Sequence, residues 1–166
     1  VKVLKEWHGY GEGTVQAIVK NDTLFIKFPN TYEDIFEKNW MGWNTLVRVF
    51  SPNLLSFTGV DTKFEMFKTK QKSIAINLSG KSSFEMESMI PELDSINVIA
   101  KDSSAVIFEM SPEYRASESF HAKYIKADIK DASLLDIGHG QVDSLQIKIS
   151  DTSGVFLSGG TLRKKY

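Results

Sequence analysis

The chain has 166 residues, 42% hydrophobic and 25% charged, with 20 basic against 21 acidic side chains and no cysteine. That length suits a single domain, 1–166, with a real core, and the composition excludes disorder over the whole chain. The balanced charge argues against a nucleic-acid or anionic-membrane partner, and the missing cysteines exclude disulfides, thiol nucleophiles and cysteine-ligated metals.

The dominant period along the chain is two. Val15, Ala17 and Val19 alternate with polar residues, "KND" at 20–22 turns, and Leu24, Ile26 and Phe28 alternate again. This predicts a β-hairpin with a short Asn-Asp turn, stopped by Pro29-Asn30. Residues 31–44, "TYEDIFEKNWMGWN", break the pattern. Thr31 is a suitable cap for a short helix with Glu33 and Asp34 in its first turn, Ile35, Phe36 and Trp40 on one face, and Gly42 at its end. We expect 1–44 to form the hairpin and a short helical or loop excursion that caps the rest of the chain.

From Thr45 the strand pattern resumes with "TLVRVF", and related units follow. Their leading apolar residues are Leu55 and Phe57; Ile74, Ile76 and Leu78; Ile96 and Val98; Ile125, Ala127 and Ile129; and Leu145, Ile147 and Ile149. The offsets between units are 19, 22, 29 and 20 residues, and the long one contains "SPEYRASESFH", 111–121, a polar stretch that reads as an inserted loop. Each unit is a strand, a tight turn and a second strand. Asp61, Asp102, Asp131 and Asp151 fall in the turns, and Gly80-Lys81 takes that place in the second unit. Asp and Ser suit turns because their side chains bond nearby backbone.

A unit of about 20 residues is too short to make its own core and is the right length for one coil of a solenoid. Stacked coils would pair equivalent strands in parallel, with inward residues forming a continuous core and the Asp and Ser turns forming ladders outside. The expected fold is therefore all-β: a parallel, right-handed β-helix of about five coils over 45–166. An antiparallel meander or sandwich also fits short, regularly spaced strands, but repetition of a whole phrase favours the solenoid.

The pieces "SPNLLSFTGVD", "SIAINLSGKSSFEM", "PELDSINVIAKDSSAVIFEM", "YIKADIKDASLLDI" and "SLQIKISDTSGVFLSGG", with the early "GTVQAIVKNDTLFIKF", resemble the head GIN domain family, described as auto-transporter adhesins. The resemblance covers nearly the whole chain and rests on strand and turn chemistry. The chain departs from the family pattern in having fewer Gly-Ser-Gly turns and in its Trp-rich 31–44 segment. The resemblance implies a β-helical, non-catalytic envelope or surface domain of bacteria, especially of the Bacteroides group, and it carries over no catalytic or ligand residues. Because Val1 rather than Met opens the chain, a removed signal peptide is the natural expectation, with a cloning boundary as the alternative. No apolar run approaches the ~20 residues needed to span a bilayer.

Catalytic motifs are weak throughout. "DTSG" at 151–154 lacks the glycine spacing and the second copy of an aspartic-protease signature, so a turn explains it better. His8, His121 and His139 have no metal spacing, and no Gly-x-Ser-x-Gly occurs. "GYGEG" at 9–13 lacks the Lys-Ser/Thr of a phosphate loop. "FKTKQK" at 67–72 and "RKKY" at 163–166 read as solvated turn and tail. Asn21-Asp22-Thr23 and Asn77-Leu78-Ser79 match the glycosylation sequon, which is common by chance.

No catalytic, cofactor or metal residue is therefore expected. Aromatic side chains carry the binding reading: Tyr32, Trp40 and Trp43, with Tyr114 and Arg115 in the inserted loop, are the expected contacts for a glycan or surface protein. A cap over the open end of the core, which such folds require, explains Tyr32, Trp40 and Trp43 better than binding does. The leading expectation is a non-enzymatic exported domain with an adhesin-like or scaffold role, in the periplasm, at the outer membrane or on the cell surface. The alternatives are a polysaccharide-acting β-helix enzyme using Asp102, Asp131 and Asp151, and a structural homo-oligomer of end-stacked solenoids.

Overall fold

A computed structural model describes residues 2–6, 16–27, 46–67, 71–87, 92–109, 121–138, 140–150 and 152–157. The chain divides into two units, Val1–Ser51 and Pro52–Tyr166.

In the first unit, β1 (Lys2–Glu6) pairs antiparallel with β4 (Leu46–Phe50), and β2 (Gln16–Lys20) pairs antiparallel with β3 (Thr23–Lys27). The β2–β3 hairpin turns at Asn21 and Asp22, whose φ angles of 49° and 57° place both in the left-handed region. Two left-handed residues give the turn whose twist matches the flanking strands, and Asn and Asp tolerate that region better than other non-glycine residues. Ala17 lies opposite Ile26 and Val19 opposite Leu24, so the two alternating sets share one face. The predicted helical excursion at 31–44 lies outside the described residues.

The second unit is a parallel β-solenoid. Five strands, β5 (Ser56–Val60), β7 (Ser73–Ser79), β9 (Leu93–Ala100), β11 (His121–Ile129) and β13 (Gln141–Ile149), stack in that order into one sheet. Five more, β6 (Lys63–Phe67), β8 (Ser83–Glu87), β10 (Ala105–Glu109), β12 (Leu134–Asp136) and β14 (Gly154–Phe156), make the second. Every neighbouring pair within these two sheets is parallel. We call them the odd and even sheets.

The register follows the repeat in the sequence. Phe57 pairs with Ile76, Ile76 with Val98, Val98 with Ala127, and Ala127 with Ile147. These are the offsets read from the chain. The longest step falls between β10 and β11, where residues 110–120 separate the strands.

Inward residues form columns through the stack. Ile74, Ile96 and Ile125 are one column of the odd sheet; Leu78, Ala100 and Ile129 are another, and all six are at most 1% exposed. The even sheet contributes Phe84, Val106 and Leu135, then Met66, Met86, Phe108 and Ile137. Side chains from both sheets meet in one core, and each fully buried large apolar side chain contributes about 1.5–3 kcal/mol of transfer free energy. At the first coil the core is aromatic: Phe57 stacks on Phe64 across the two sheets at 4.2 Å, and Phe64 on Phe84 at 5.5 Å. Gly59 makes room for the Phe57 ring, since a Cβ there would lie 2.9 Å from Phe57 Cε1 and 2.7 Å from Thr62 Cγ2.

Two sequence expectations are corrected. Leu55 does not join the core; it is 74% exposed, and Leu54 packs inward instead. The reason is local: Gln71 is buried and its side chain clasps the backbone of Leu54, accepting from Leu54 N–H at 2.7 Å and donating to Leu54 O at 2.5 Å. Three of the turn serines, expected outside, are inside, while Ser103 is exposed as expected. Ser82, Ser104 and Ser133 are buried at the corner between the sheets. Thr62 N–H donates to Ser82 Oγ at 3.2 Å, Ser104 N–H to Ser133 Oγ at 3.1 Å, and Ser133 N–H to Ser153 Oγ at 3.3 Å. Ser82 and Ser104 in turn donate to the carbonyls of Ser79 at 2.7 Å and Lys101 at 2.8 Å. A corner bends backbone out of the sheet ladder, and a buried hydroxyl supplies the missing partners.

Candidate functional site

The sequence-predicted contacts Tyr32, Trp40, Trp43, Tyr114 and Arg115 all lie outside the described residues, as do His8, His139 and Asp151. His121 is described: it opens β11, and its Nε2 lies 3.0 Å from Asp143 Oδ1 on β13. Among the described residues, no group of three or more His, Asp or Glu side chains is arranged to hold a metal ion.

Two of the turn aspartates are tied to backbone. Asp61 Oδ1 accepts from Lys81 N–H at 2.9 Å, and Asp102 Oδ2 from Gly80 N–H at 3.4 Å. This explains why the second coil departs from the Asp pattern. Gly80 has φ of +67°, and a Cβ there would sit 2.1 Å from Asp61 Oδ1. The carboxylate of one coil occupies the space that a side chain of the next would need. In the third and fourth coils two consecutive residues are left-handed, Asp102 and Ser103, then Asp131 and Ala132.

The outward faces of the two sheets hold further chemistry. On the odd sheet, hydrogen bonds cross between coils: Ser95 Oγ donates to Ser73 Oγ at 3.0 Å, Tyr124 Oη to Gln146 Oε1 at 2.7 Å, and Lys123 Nζ to Asp94 Oδ1 at 2.6 Å. The Lys123 contact holds the Asp94 carboxyl below its ordinary value and raises the Lys123 ammonium, each because the hydrogen bond favours the charged form.

Farther along the same strands the outward residues become cationic. Lys126 lies between Asn97 and Gln146, and Asp128 lies between Ile99 and Lys148. Lys101 and Lys130 directly follow the paired Ala100 and Ile129. Lys101, Lys126, Lys130 and Lys148 are all exposed and surround one carboxylate. Lys130 Nζ bridges to Asp128 Oδ2 at 3.1 Å. Asp128 Oδ1 is closed off from solvent and has no hydrogen-bond donor among the described residues.

The even sheet carries the opposite sign. Lys63 Nζ lies 3.1 Å from Glu65 and 3.5 Å from Glu85, and the two carboxylates raise its pKa, the hydrogen bond to Glu65 first. Beyond them the same outward column alternates Ile107, Asp136 and Phe156, with Leu134 exposed beside it.

Sequence reading missed the lysine cluster because it looked for contiguous basic runs. The available signal was periodic: a lysine at the outward position beside the same inward column of successive units. Fold and faces together define a parallel β-solenoid with a structured polar face. No protein-family model, curated protein or solved structure gives a significant match to the chain.

Proposed function

We propose that the chain is a non-enzymatic, exported bacterial envelope domain of the head GIN type that presents a rigid binding surface to a glycan or surface protein. The observation that supports this reading most is the outward face of the odd sheet, where polar side chains are held in place by bonds between successive coils. Such a face loses little side-chain freedom on binding, which is what makes a preorganised surface effective. The repeated strand-and-turn phrase and its resemblance to that family support the envelope assignment.

Two measurements test the proposal. Fractionation of cells carrying the tagged full-length gene is expected to place the protein in the envelope or medium. A glycan array with a pull-down from envelope extract is expected to give a specific, saturable hit. Cytoplasmic retention, or no hit on either, would overturn it.

A further inference from the structure

The cationic end of the odd sheet points to a ligand class. We infer that the outward face formed by Asn97, Lys101, Lys126, Lys130, Gln146 and Lys148 binds a linear acidic polysaccharide, one whose sugars carry carboxylate or sulfate groups. The inference rests on the reading of the chain as a binding domain and deepens it.

Charge is the first argument. Four lysines and one aspartate occupy outward positions on three adjacent strands and the residues just after them, in a chain whose net charge is −1. Lys101 and Lys130 are neighbours across the coil step, at the ~4.8 Å spacing of sheet strands. Like charges held that close repel and cost stability. Only Lys130 has a carboxylate partner among the described residues, through Asp128. An anionic chain laid across the coils would relieve the repulsion.

The neighbours of the lysines select among polyanions. Asn97 and Gln146 flank Lys126, and Asn77 and Thr58 continue the adjoining column; all four are exposed. Amides and hydroxyls pair donors with acceptors, which suits sugar hydroxyls between charged groups. One aromatic, Tyr124, borders these columns, and its hydroxyl is bonded to Gln146; a single ring held in that way is a poor platform for stacking the successive bases of a single-stranded nucleic acid. Their exposed apolar members, Val60, Ala75 and Ile99, are too few and too small to bury a face in a membrane interface.

The test uses the full chain and three probes: polygalacturonate oligomers, an oligothymidylate, and phosphatidylglycerol vesicles, with neutral dextran as the uncharged control. Isothermal titration at low salt is expected to show binding to polygalacturonate and none to dextran. Lys126→Gln with Lys148→Gln should weaken it about tenfold, and added salt should weaken it further. Asp128→Asn should tighten it by removing the carboxylate that lies among the lysines on the strand face, Asp102 and Asp131 being in the turn beyond. Lys63→Gln, on the even sheet, should leave it unchanged. Circular dichroism melts of each variant establish that the fold is retained.

Failure to bind polygalacturonate, equal or stronger binding to oligothymidylate or vesicles, or binding that survives the double lysine change in a folded variant would overturn the inference. A specific neutral glycan on the array together with no polygalacturonate binding would overturn this inference alone and leave the proposed function standing.

Discussion

On β11 the inward Ile125, Ala127 and Ile129 continue apolar columns from coil to coil, while the outward Lys126 lies between the amides of Asn97 and Gln146 and Asp128 lies between Ile99 and Lys148. One strand therefore answers to two sets of rules. Inward positions must fill a shared core at near-crystalline density, so each tolerates only apolar residues of compatible volume. Outward positions need only be compatible with a strand, and they are free to diverge. They have diverged into a cationic, amide-rich face on one sheet and a mixed acidic and apolar face on the other. That asymmetry is not required by the stack, so it is the part of the molecule most open to a functional explanation.

The comparison can be broken most forcefully from the inside. Phe84→Ala removes a fully buried ring that contacts both Phe57 and Phe64, and we expect it to cost about 3–5 kcal/mol in urea unfolding. Ser133→Ala leaves Ser104 N–H buried without its acceptor. The expected loss is about 1–3 kcal/mol, measured the same way; a loss near zero would mean that the corner hydroxyls are incidental.

Outside, the signs differ. Lys101→Gln removes one side of the repulsion with Lys130 and is expected to raise stability by about 0.2–0.5 kcal/mol while weakening polygalacturonate binding. A site that gains stability on losing its charge is one in which charge serves binding.

The smallest effect is a pH dependence. The Asp94 carboxyl is held below the ordinary aspartate value of 3.8 by Lys123. Its contribution is therefore present above that value and is lost as the pH falls through the folded value. Both groups are exposed, so the wild type and Asp94→Asn should differ slightly in urea midpoint at neutral pH and converge between about pH 5 and pH 2. A difference that persists at the acid end would remove the ion pair as its cause.

Much of the coil geometry could be read from residues alone. The offsets between Phe57, Ile76, Val98, Ala127 and Ile147 are the register, because stacked coils must present the same edge to each other. The Asn21-Asp22 turn followed from its residue types. The inward place of the serines did not, because a serine in a turn satisfies its hydroxyl equally well by water or by buried backbone, and only the corner between the sheets decides which. Leu55 and Leu54 are equally apolar, and only the Gln71 clasp shows which one enters the core.

By itself the sequence determined the period, the strand pairing and the alternation of inward and outward residues, since these depend on local spacing that every coil repeats. The tertiary structure decided what no spacing encodes: that Gly80 yields its space to the carboxylate of Asp61 one coil away, and that Lys101, Lys126, Lys130 and Lys148, scattered along the chain, share one face. Both depend on stacking, which brings into contact residues that are 19 or more positions apart.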